Sequence, residues 1–266
     1  MPELLQLLLI YLATGAVSGV LAGLLGVGGG IVIVPALLLT LEIQHADPSV
    51  AMHVAVGTSL AIIVLTSLSS VRAHHRRGAV QWPVVQRITP GIVIGALAGA
   101  ALADLLSGNA LKTFFGVFAL VLASYLGFVR PPKPHRSLPG TTGLGIVGLM
   151  IGSVSSLVGI GGGSLSVPFF VWNNLPMRQA VATAAAIGLP IAVGGTAGFI
   201  FTGYGEANLP DYSLGYVNGI ACALVALASV FTAPVGARLA HTIDPLHLRR
   251  AFALLLLLLG LRMLLA

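Results

Sequence analysis

The chain has 266 residues, of which 57% are hydrophobic and 8% are charged. Soluble domains carry about 25% charged residues, so this composition excludes a water-soluble globule and indicates that lipid surrounds most of the protein. The formal net charge of +6 does not indicate a nucleic-acid partner, because the basic residues cluster in short segments between apolar runs, the pattern that sets membrane topology.

Eight apolar runs reach the roughly 18 residues that a helix needs to cross a bilayer. The first is expected to be retained, because Met1-Pro2-Glu3 lacks the basic start of a secretory signal. Two shorter apolar segments follow glycine clusters and are too short to cross alone. The sequence predicts an all-α integral membrane protein with eight long transmembrane helices, at 4–25, 50–71, 84–106, 110–129, 143–160, 181–201, 214–240 and 246–265, and two glycine-led half-helices, at 31–41 and 164–172.

A proline-rich basic segment divides the chain near its middle, where neither a helix nor lipid would accept it. We therefore predict a first membrane repeat at 1–130, a cytoplasmic linker at 131–139 and a second membrane repeat at 140–266. The halves share four motifs in the same order. GVGGGIVIVP from Gly26 matches GIGGGSLSVP from Gly159 at six of ten positions, AVGTS matches AVATA, GAALA matches GARLA, and LKTFF matches LRRAF.

Charges in equivalent loops indicate that the two repeats are inverted. The loop at 72–77 is strongly basic, whereas its counterpart at 204–211 is acidic with no Lys or Arg; the next pair of loops, 104–112 and 238–250, reverses this contrast. Inversion requires each glycine-rich unit to enter the membrane and return to the same side. We expect a helix, a glycine break and a short returning helix; the alternative is a plain crossing and two parallel halves.

The two glycine clusters are the first candidates for a binding site. Glycine allows positive φ and close approach to the backbone, and the start of a helix presents free N–H groups that favour an anion. Two such starts meeting near the midplane would form an anion site. The alternative is close helix packing. A dinucleotide site fails, because Ile31 stands where its third glycine is required. The predicted substrate-binding residues of these motifs are Gly28, Gly29, Gly30, Pro35, Gly161, Gly162, Gly163 and Pro168.

Hydroxyl groups could complete the anion site. Thr58, Ser59 and Thr183 lie in the second repeated motif, and Ser164 follows the second glycine cluster. Each could instead bond its own helix backbone. Asn218 interrupts a predicted helix and is a further candidate of the same kind.

All seven carboxylates lie at or near segment ends, so no buried carboxylate offers a cation or proton relay. Cys222, the one cysteine, excludes a cysteine metal site within one chain. Metal-protease, serine-protease and Walker motifs are absent. We predict no catalytic residues, no metal and no cofactor, and a substrate that is uncharged or anionic.

The paired glycine-proline motifs, AVGTS with AVATA and the basic central linker resemble the TauE/SafE (sulfite exporter) family over essentially the whole chain. The resemblance implies a small permease of the bacterial inner membrane that moves sulfite, sulfoacetate or other sulfur-containing or organic anions. It implies that 28–35 and 161–168 line the translocation path.

We therefore predict a multi-pass transporter in the bacterial cytoplasmic membrane that moves a small anion by alternating access. The alternatives are a passive anion channel and an intramembrane enzyme, although no nucleophile and base pair is recognisable. The expected partners are the anion and the lipid bilayer, and no nucleic acid. The identity of the anion, the direction of transport, the coupling ion and the oligomeric state, including a homo-oligomer, remain open.

Overall fold

The computed structural model of the chain describes residues 2–25, 29–128, 137–240 and 245–265. These residues form ten helices and one pair of short strands. The helices are α1 (Pro2–Leu25), α2 (Gly30–Ile43), α3 (Pro48–Arg76), α4 (Trp82–Asp104), α5 (Gly108–Phe128), α6 (Thr141–Val158), α7 (Gly163–Trp172), α8 (Met177–Thr202), α9 (Gly219–Ala240) and α10 (Pro245–Leu265); the strands are β1 (Ser213–Leu214) and β2 (Val217–Asn218).

Six of the described helices, α3, α4, α5, α6, α8 and α9, are long and apolar enough to cross a membrane. Helices α1 and α10 contain 24 and 21 residues, and the described apolar part of α1 is limited to Leu8–Leu21. The all-helical class is confirmed. The prediction of eight transmembrane helices is supported for these six. For α1 and α10 it stays a prediction. The predicted linker at 131–139 lies mostly outside the described residues.

One predicted boundary was wrong. The helix expected from residue 214 begins at Gly219, because β1 and β2 pair as a small antiparallel hairpin in front of it. Gly215 closes this hairpin with φ +54°. The Asn218 side-chain oxygen accepts a hydrogen bond from the Ala221 amide at 2.9 Å, so Asn218 is the N-cap that starts α9.

Each short helix follows a glycine break. Helix α2 has 14 residues and α7 has 10, about 21 and 15 Å at ~1.5 Å per residue. Both are shorter than the roughly 30 Å hydrocarbon core. Helix α2 turns back along α1, since Gln44 at its end donates to the Tyr11 hydroxyl at 2.9 Å. At α1–α2, the structure therefore has the predicted arrangement, in which a helix is followed by a glycine break and a short returning helix.

Helices α4 and α6 pack closely and run in the same direction. A Cβ added to Gly91 would overlap the Gly145 carbonyl oxygen, and one added to Gly99 would overlap the Ser153 carbonyl oxygen. The contact advances by eight residues on both helices, which requires parallel axes. Small residues at this spacing let two membrane helices approach closely.

Helices α1 and α9 pack in the same parallel manner. A Cβ on Gly15 would stand 2.6 Å from the Val225 carbonyl oxygen, and one on Gly19 would stand 2.6 Å from the Ser229 Cα atom. The Ser229 hydroxyl donates to the Gly15 carbonyl at 2.9 Å. This interface holds the first and second halves of the chain together.

Helices α5 and α10, in contrast, run antiparallel. The Cβ position of Gly116 lies 2.9 Å from Leu264 Cδ2, and that of Gly260 lies 2.9 Å from Leu120 Cδ2. The earlier residue on α5 therefore meets the later residue on α10.

Helices α3 and α8 are also antiparallel, and they form the buried centre of the bundle. The Cβ position of Gly57 lies 3.1 Å from Phe199 Cβ, whereas that of Gly195 lies 2.8 Å from Leu60 Cδ1. Gly57, Leu60, Gly195 and Phe199 are all buried.

The two ends of the bundle differ in charge. At one end, which we call the basic end, Arg178 at the start of α8 donates to the Arg77 carbonyl at 3.3 Å. The described residues of this end include Arg72, Arg76, Arg77, Arg178, Arg249 and Arg250. The opposite, acidic end carries Glu42, Asp47, Asp104, Glu206 and Asp211, together with Lys112 and Arg262, which lie 3.4 and 3.8 Å from Glu42 carboxylate oxygens.

Candidate functional site

The second glycine break joins α6 to α7 through two left-handed glycines. Gly159 ends α6 with φ +74°; its amide bonds to the Ser156 carbonyl at 3.2 Å, and the Ile160 amide bonds to the Ser155 carbonyl at 2.9 Å. This pattern is a Schellman motif. Gly162 starts α7 with φ +75° and no side-chain cap. The first amides of α7 therefore have no side-chain acceptor.

The first break ends in the same geometry. Gly29 is left-handed, with φ 70°, and α2 begins at Gly30 without a side-chain cap. The amides of Val32 and Ile33 both bond to the Gly29 carbonyl at 3.0 Å. Gly28, also a predicted site residue, lies outside the described residues. Two equivalent glycines, Gly29 and Gly162, thus start the two short helices in the same conformation.

The two breaks touch each other inside the protein. A Cβ on Gly30 would overlap the Gly159 carbonyl oxygen and would stand 3.0 Å from the Ile160 Cα atom and 2.8 Å from Ile63 Cδ1. The Ser59 hydroxyl of α3 donates to the Gly159 carbonyl at 2.8 Å. Glycine is required at Gly30 because backbone occupies the space of a side chain. Motifs that are far apart in sequence therefore form one buried centre.

Four serines near the second break carry hydroxyls that have no hydrogen-bond partner within the described chain: Ser155, Ser156, Ser164 and Ser166. The side chains of three of them, Ser155, Ser156 and Ser166, are 0% exposed. A buried hydroxyl left without a partner costs about 1–3 kcal/mol. Such groups in a native structure call for a ligand, a water or an ion.

Two of these hydroxyls converge on Gly162. The Ser166 and Ser155 Oγ atoms lie 3.6 and 3.7 Å from the position that a Cβ on Gly162 would take. Ser156 is the next residue on α6, and its Oγ lies 2.9 Å from the Cβ position of Gly195 on α8. We call Ser155, Ser156, Ser164 and Ser166 the serine cluster. Sequence reasoning named Ser164 and missed the other three, although GSLSVP against GIVIVP already showed hydroxyls replacing isoleucines.

The two predicted threonines lie apart from the breaks and hold backbone amides. Thr58 Oγ1 accepts from the Asn218 amide at 2.9 Å, and Thr183 Oγ1 accepts from the Gln81 amide at 3.1 Å. Asn218 and Gln81 each immediately precede a long helix, α9 and α4. Each threonine therefore fixes the start of a helix belonging to the other half of the chain.

The two predicted prolines occupy the sixth position of their short helices. Proline in a helix interior leaves a carbonyl oxygen four residues earlier without its usual amide partner. Pro35 also lines a groove beside Glu42 and Lys112, at the acidic end. Its ring thus contacts a region away from the glycine breaks.

Fixed charges are absent from the described surroundings of the breaks. Among the described buried side chains there is no Asp, Glu, Lys or Arg, and the one histidine is His53. Its Nε2 lies 3.0 Å from the Ala103 carbonyl and 3.1 Å from the Leu106 carbonyl, near the acidic end. No group of three His, Cys, Asp or Glu side chains in the described chain could hold a metal ion. The centre therefore offers amide and hydroxyl donors without a charged side chain.

Comparison of the sequence with models of known families identifies the family of this chain. A family model described as "Sulfite exporter TauE/SafE" matches residues 11–263. The chain belongs to the TauE/SafE family. The similar curated proteins are all named as membrane transporters. One from Haemophilus influenzae, "Probable membrane transporter protein", is 33% identical over 96% of this chain and 97% of its own length. Another from Methanocaldococcus jannaschii is 28% identical over 99% of this chain and 97% of its own length.

The similar proteins also include a "Probable membrane transporter protein" of Bacillus subtilis, 29% identical over 73% of this chain and 79% of its own length. No solved structure matches the chain. Membership of this family therefore identifies the protein as a multi-pass membrane transporter.

The predicted site residues of this TauE/SafE chain fall into two groups. Gly29, Gly30, Ser59 and 161–163 lie at or against the touching breaks, with Ser164 in the first turn of α7. Thr58, Thr183 and Pro35 contact other parts of the protein. The role of each residue in binding stays a prediction.

Proposed function

We propose that this protein is a transporter of the bacterial cytoplasmic membrane that moves a small anion by alternating access between two inverted repeats. Sulfur oxyanions and organosulfonates, such as sulfite and sulfoacetate, are the first substrates to consider, since the family description names sulfite export. The observation that carries the proposal is the buried contact between the two glycine breaks, each of which starts a helix.

The packing of the helices supports an inverted repeat. If α1–α5 correspond to α6–α10 in order, then α3 with α8 and α5 with α10 are pairs of equivalent helices. Both pairs run antiparallel. A two-fold axis along the membrane normal would make equivalent helices parallel, whereas an axis in the membrane plane makes them antiparallel, as in inverted-repeat transporters.

Contacts between the halves support the same axis. Helix α1 packs on α9, and the equivalent α6 packs on α4. The bond from Asn218 to Thr58 likewise corresponds to the bond from Gln81 to Thr183. Each contact recurs with the roles of the halves exchanged, as a two-fold relation between them requires.

The charge distribution supports an orientation. Cytoplasmic segments of membrane proteins collect Lys and Arg, so the basic end faces the cytoplasm and the acidic end faces outward. Helix α2 then returns to the outer side and α7 to the cytoplasmic side. With α1 and α10 as further spans, the chain has eight long transmembrane helices and two re-entrant half-helices.

The site suits alternating access because each break belongs to a hairpin anchored at a different end. The α1–α2 hairpin closes at the acidic end through Gln44 and Tyr11, whereas α7 leads into α8 at the basic end beside Arg77. Movement of one hairpin would open the centre to one side while the other stays closed. The burial of Gly29, Gly30 and 161–163 corresponds to a closed state.

The anion would be held without a fixed positive charge. Irregular backbone at membrane depth is tolerated where it is buried in protein or lines a cavity. Two helix starts present partial positive charge and free amides to this point, and the serine cluster adds hydroxyl donors. These are donors for an anion, and the described centre contains no acidic side chain for a cation.

Uptake by the purified full chain in liposomes tests the proposal. The panel is sulfite, sulfate, thiosulfate, sulfoacetate, methanesulfonate and acetate, each measured against empty liposomes. We expect at least one anion to show saturable uptake and acceleration by the same anion trapped inside. Flux that rises linearly without this counterflow would indicate a channel. No flux for any anion, with the protein folded and inserted, would contradict anion transport.

A further inference from the structure

We infer that the second glycine break alone holds the anion, through Ser155, Ser166 and the start of α7, and that the anion is a monovalent oxyanion. This inference rests on the proposed function and narrows it. It differs from a symmetric site in which both breaks contribute equally. It also separates the candidate substrates by charge.

The asymmetry begins in the sequence of the repeat. Aligning Gly26 with Gly159 places Ser164 opposite Ile31 and Ser166 opposite Ile33. Both isoleucines are buried, at 2% exposure. The first break therefore presents hydrocarbon where the second presents hydroxyl groups. Equivalent backbone positions therefore carry apolar side chains in the first repeat and hydroxyl groups in the second.

The hydroxyls of the second break make no hydrogen bonds to the backbone of their own helices within the described chain. A serine in a helix can donate to the carbonyl four residues earlier, as Thr40 does to Ala36 at 2.8 Å in α2. Ser155 and Ser166 are fully buried and make no such bond within the described chain. Their Oγ atoms instead lie on either helix beside Gly162, within 3.7 Å of its Cβ position.

The space beside Gly162 is rich in donors and poor in acceptors. The Gly162 carbonyl already accepts the Ser166 amide at 2.8 Å and the Leu165 amide at 3.2 Å. The amides of Gly163 and Ser164 are at the start of α7, where a helix has no internal acceptors for them. An oxyanion, which only accepts hydrogen bonds, matches two hydroxyls and the amides of a helix start.

The absence of a cation limits the charge of the ligand. A helix start supplies about half an elementary charge, and among the described residues no Lys or Arg is buried with it. A second negative charge would be buried without compensation, which is strongly unfavourable. A monovalent anion therefore fits, and sulfoacetate, with a sulfonate and a carboxylate, does not.

Hydrocarbon also lines this site. The Cβ position of Gly161 lies 3.3 Å from Ile63 Cγ2, and Ile191 Cδ1 overlaps the Cβ position of Gly162 from which the two Oγ distances are measured. An anion between the two hydroxyls would therefore take the place of the Ile191 methyl group. A ligand held by its oxygens at Ser155 and Ser166 would place its remaining substituent against these side chains. An uncharged substituent such as a methyl group suits that wall.

Methanesulfonate and sulfate provide a matched test, because both are tetrahedral at sulfur and differ by a methyl group in place of a charged oxygen. Calorimetric titration of the purified full chain should show methanesulfonate binding at least tenfold more tightly than sulfate. The Ser155→Ala, Ser166→Ala double variant should bind methanesulfonate at least tenfold more weakly. Ser67→Ala is the control, since the Ser67 hydroxyl already donates to the Val64 carbonyl at 3.1 Å, and it should bind as the unchanged protein does.

Each other outcome overturns a defined part of the inference. Equal or tighter binding of sulfate would refute the monovalent ligand. Unchanged affinity of the double variant, with thermal unfolding also unchanged, would refute the serine site. If methanesulfonate, formate, acetate and nitrate all fail to bind, the inference is wrong. The liposome fluxes of divalent anions then decide separately whether the protein is an anion transporter.

Discussion

The two glycine breaks share a backbone and differ in their side chains. Gly29 and Gly162 adopt nearly the same conformation, with φ of 70° and 75°. Beyond them, α2 continues with buried isoleucines, whereas α7 continues with serines whose hydroxyls lack partners in the described chain. The two repeats share the backbone of a helix start. On the inference above, the side chains assign anion binding to the second repeat and packing to the first.

Among the substitutions proposed here, Gly162→Ala is expected to reduce transport the most. Changing Gly162→Ala places a Cβ against Ile191 at a residue with φ +75°, and a non-glycine residue held there costs of order 1–3 kcal/mol. We expect saturable uptake to fall to background in liposomes. Gly78→Ala is the matched control, because Gly78 has φ +62° and open space around its Cβ position. Normal uptake by the Gly162 variant would remove the second break from the transport path, provided that both variants insert equally.

The equivalent positions Ile33 and Ser166 should respond in opposite ways. Ile33→Ala removes packing from a buried side chain, which costs about 2–5 kcal/mol in cores, so thermal unfolding should shift down while methanesulfonate affinity per folded molecule changes little. Ser166→Ala removes an unpartnered hydroxyl, so unfolding should stay the same or shift up while affinity falls. The same response from both variants would contradict the division of roles between the repeats.

Substitution of either of the two threonines is expected to lower stability by a smaller amount, and by a similar amount in both variants. Thr58→Val and Thr183→Val each remove the acceptor of one backbone amide, a loss of about 1–3 kcal/mol when the amide is buried. Because the bonds correspond across the repeats, the two variants should lower the unfolding temperature by similar amounts. A large effect from one and none from the other would weaken the two-fold relation.

Removal of the exposed ion pairs of Glu42, at the acidic end of the bundle, is expected to change transport and stability the least. Glu42 lies 3.4 Å from Lys112 and 3.8 Å from Arg262, and its side chain is 42% exposed. Exposed ion pairs contribute about 0–1 kcal/mol. Glu42→Gln should therefore leave both uptake and unfolding close to those of the unchanged protein. A strong loss of uptake would show that the acidic end acts in transport.

Much of the fold could be predicted from the sequence, because apolar runs and glycine clusters act locally. The runs fixed most helix ranges, and the glycine clusters predicted the two short helices. The start of α9 was missed, because Asn218 lies in an apolar stretch and its capping bond depends on the turn before it. Motif matching found the glycines of the site and Ser164. The other serines of the cluster required the structure, because free hydroxyls are indistinguishable from helix-bonded ones in sequence.

The most direct test of the account asks whether the second break is reached from both sides of the membrane in turn. A Cys222→Ala background, which removes the one cysteine, would carry Ser166→Cys, and a membrane-impermeant thiol reagent would be applied from either side of oriented vesicles. Alternating access to this break predicts slow labelling from each side that a transported anion suppresses. Labelling from neither side, or labelling that the anion leaves unchanged, would contradict a central alternating-access site at this break.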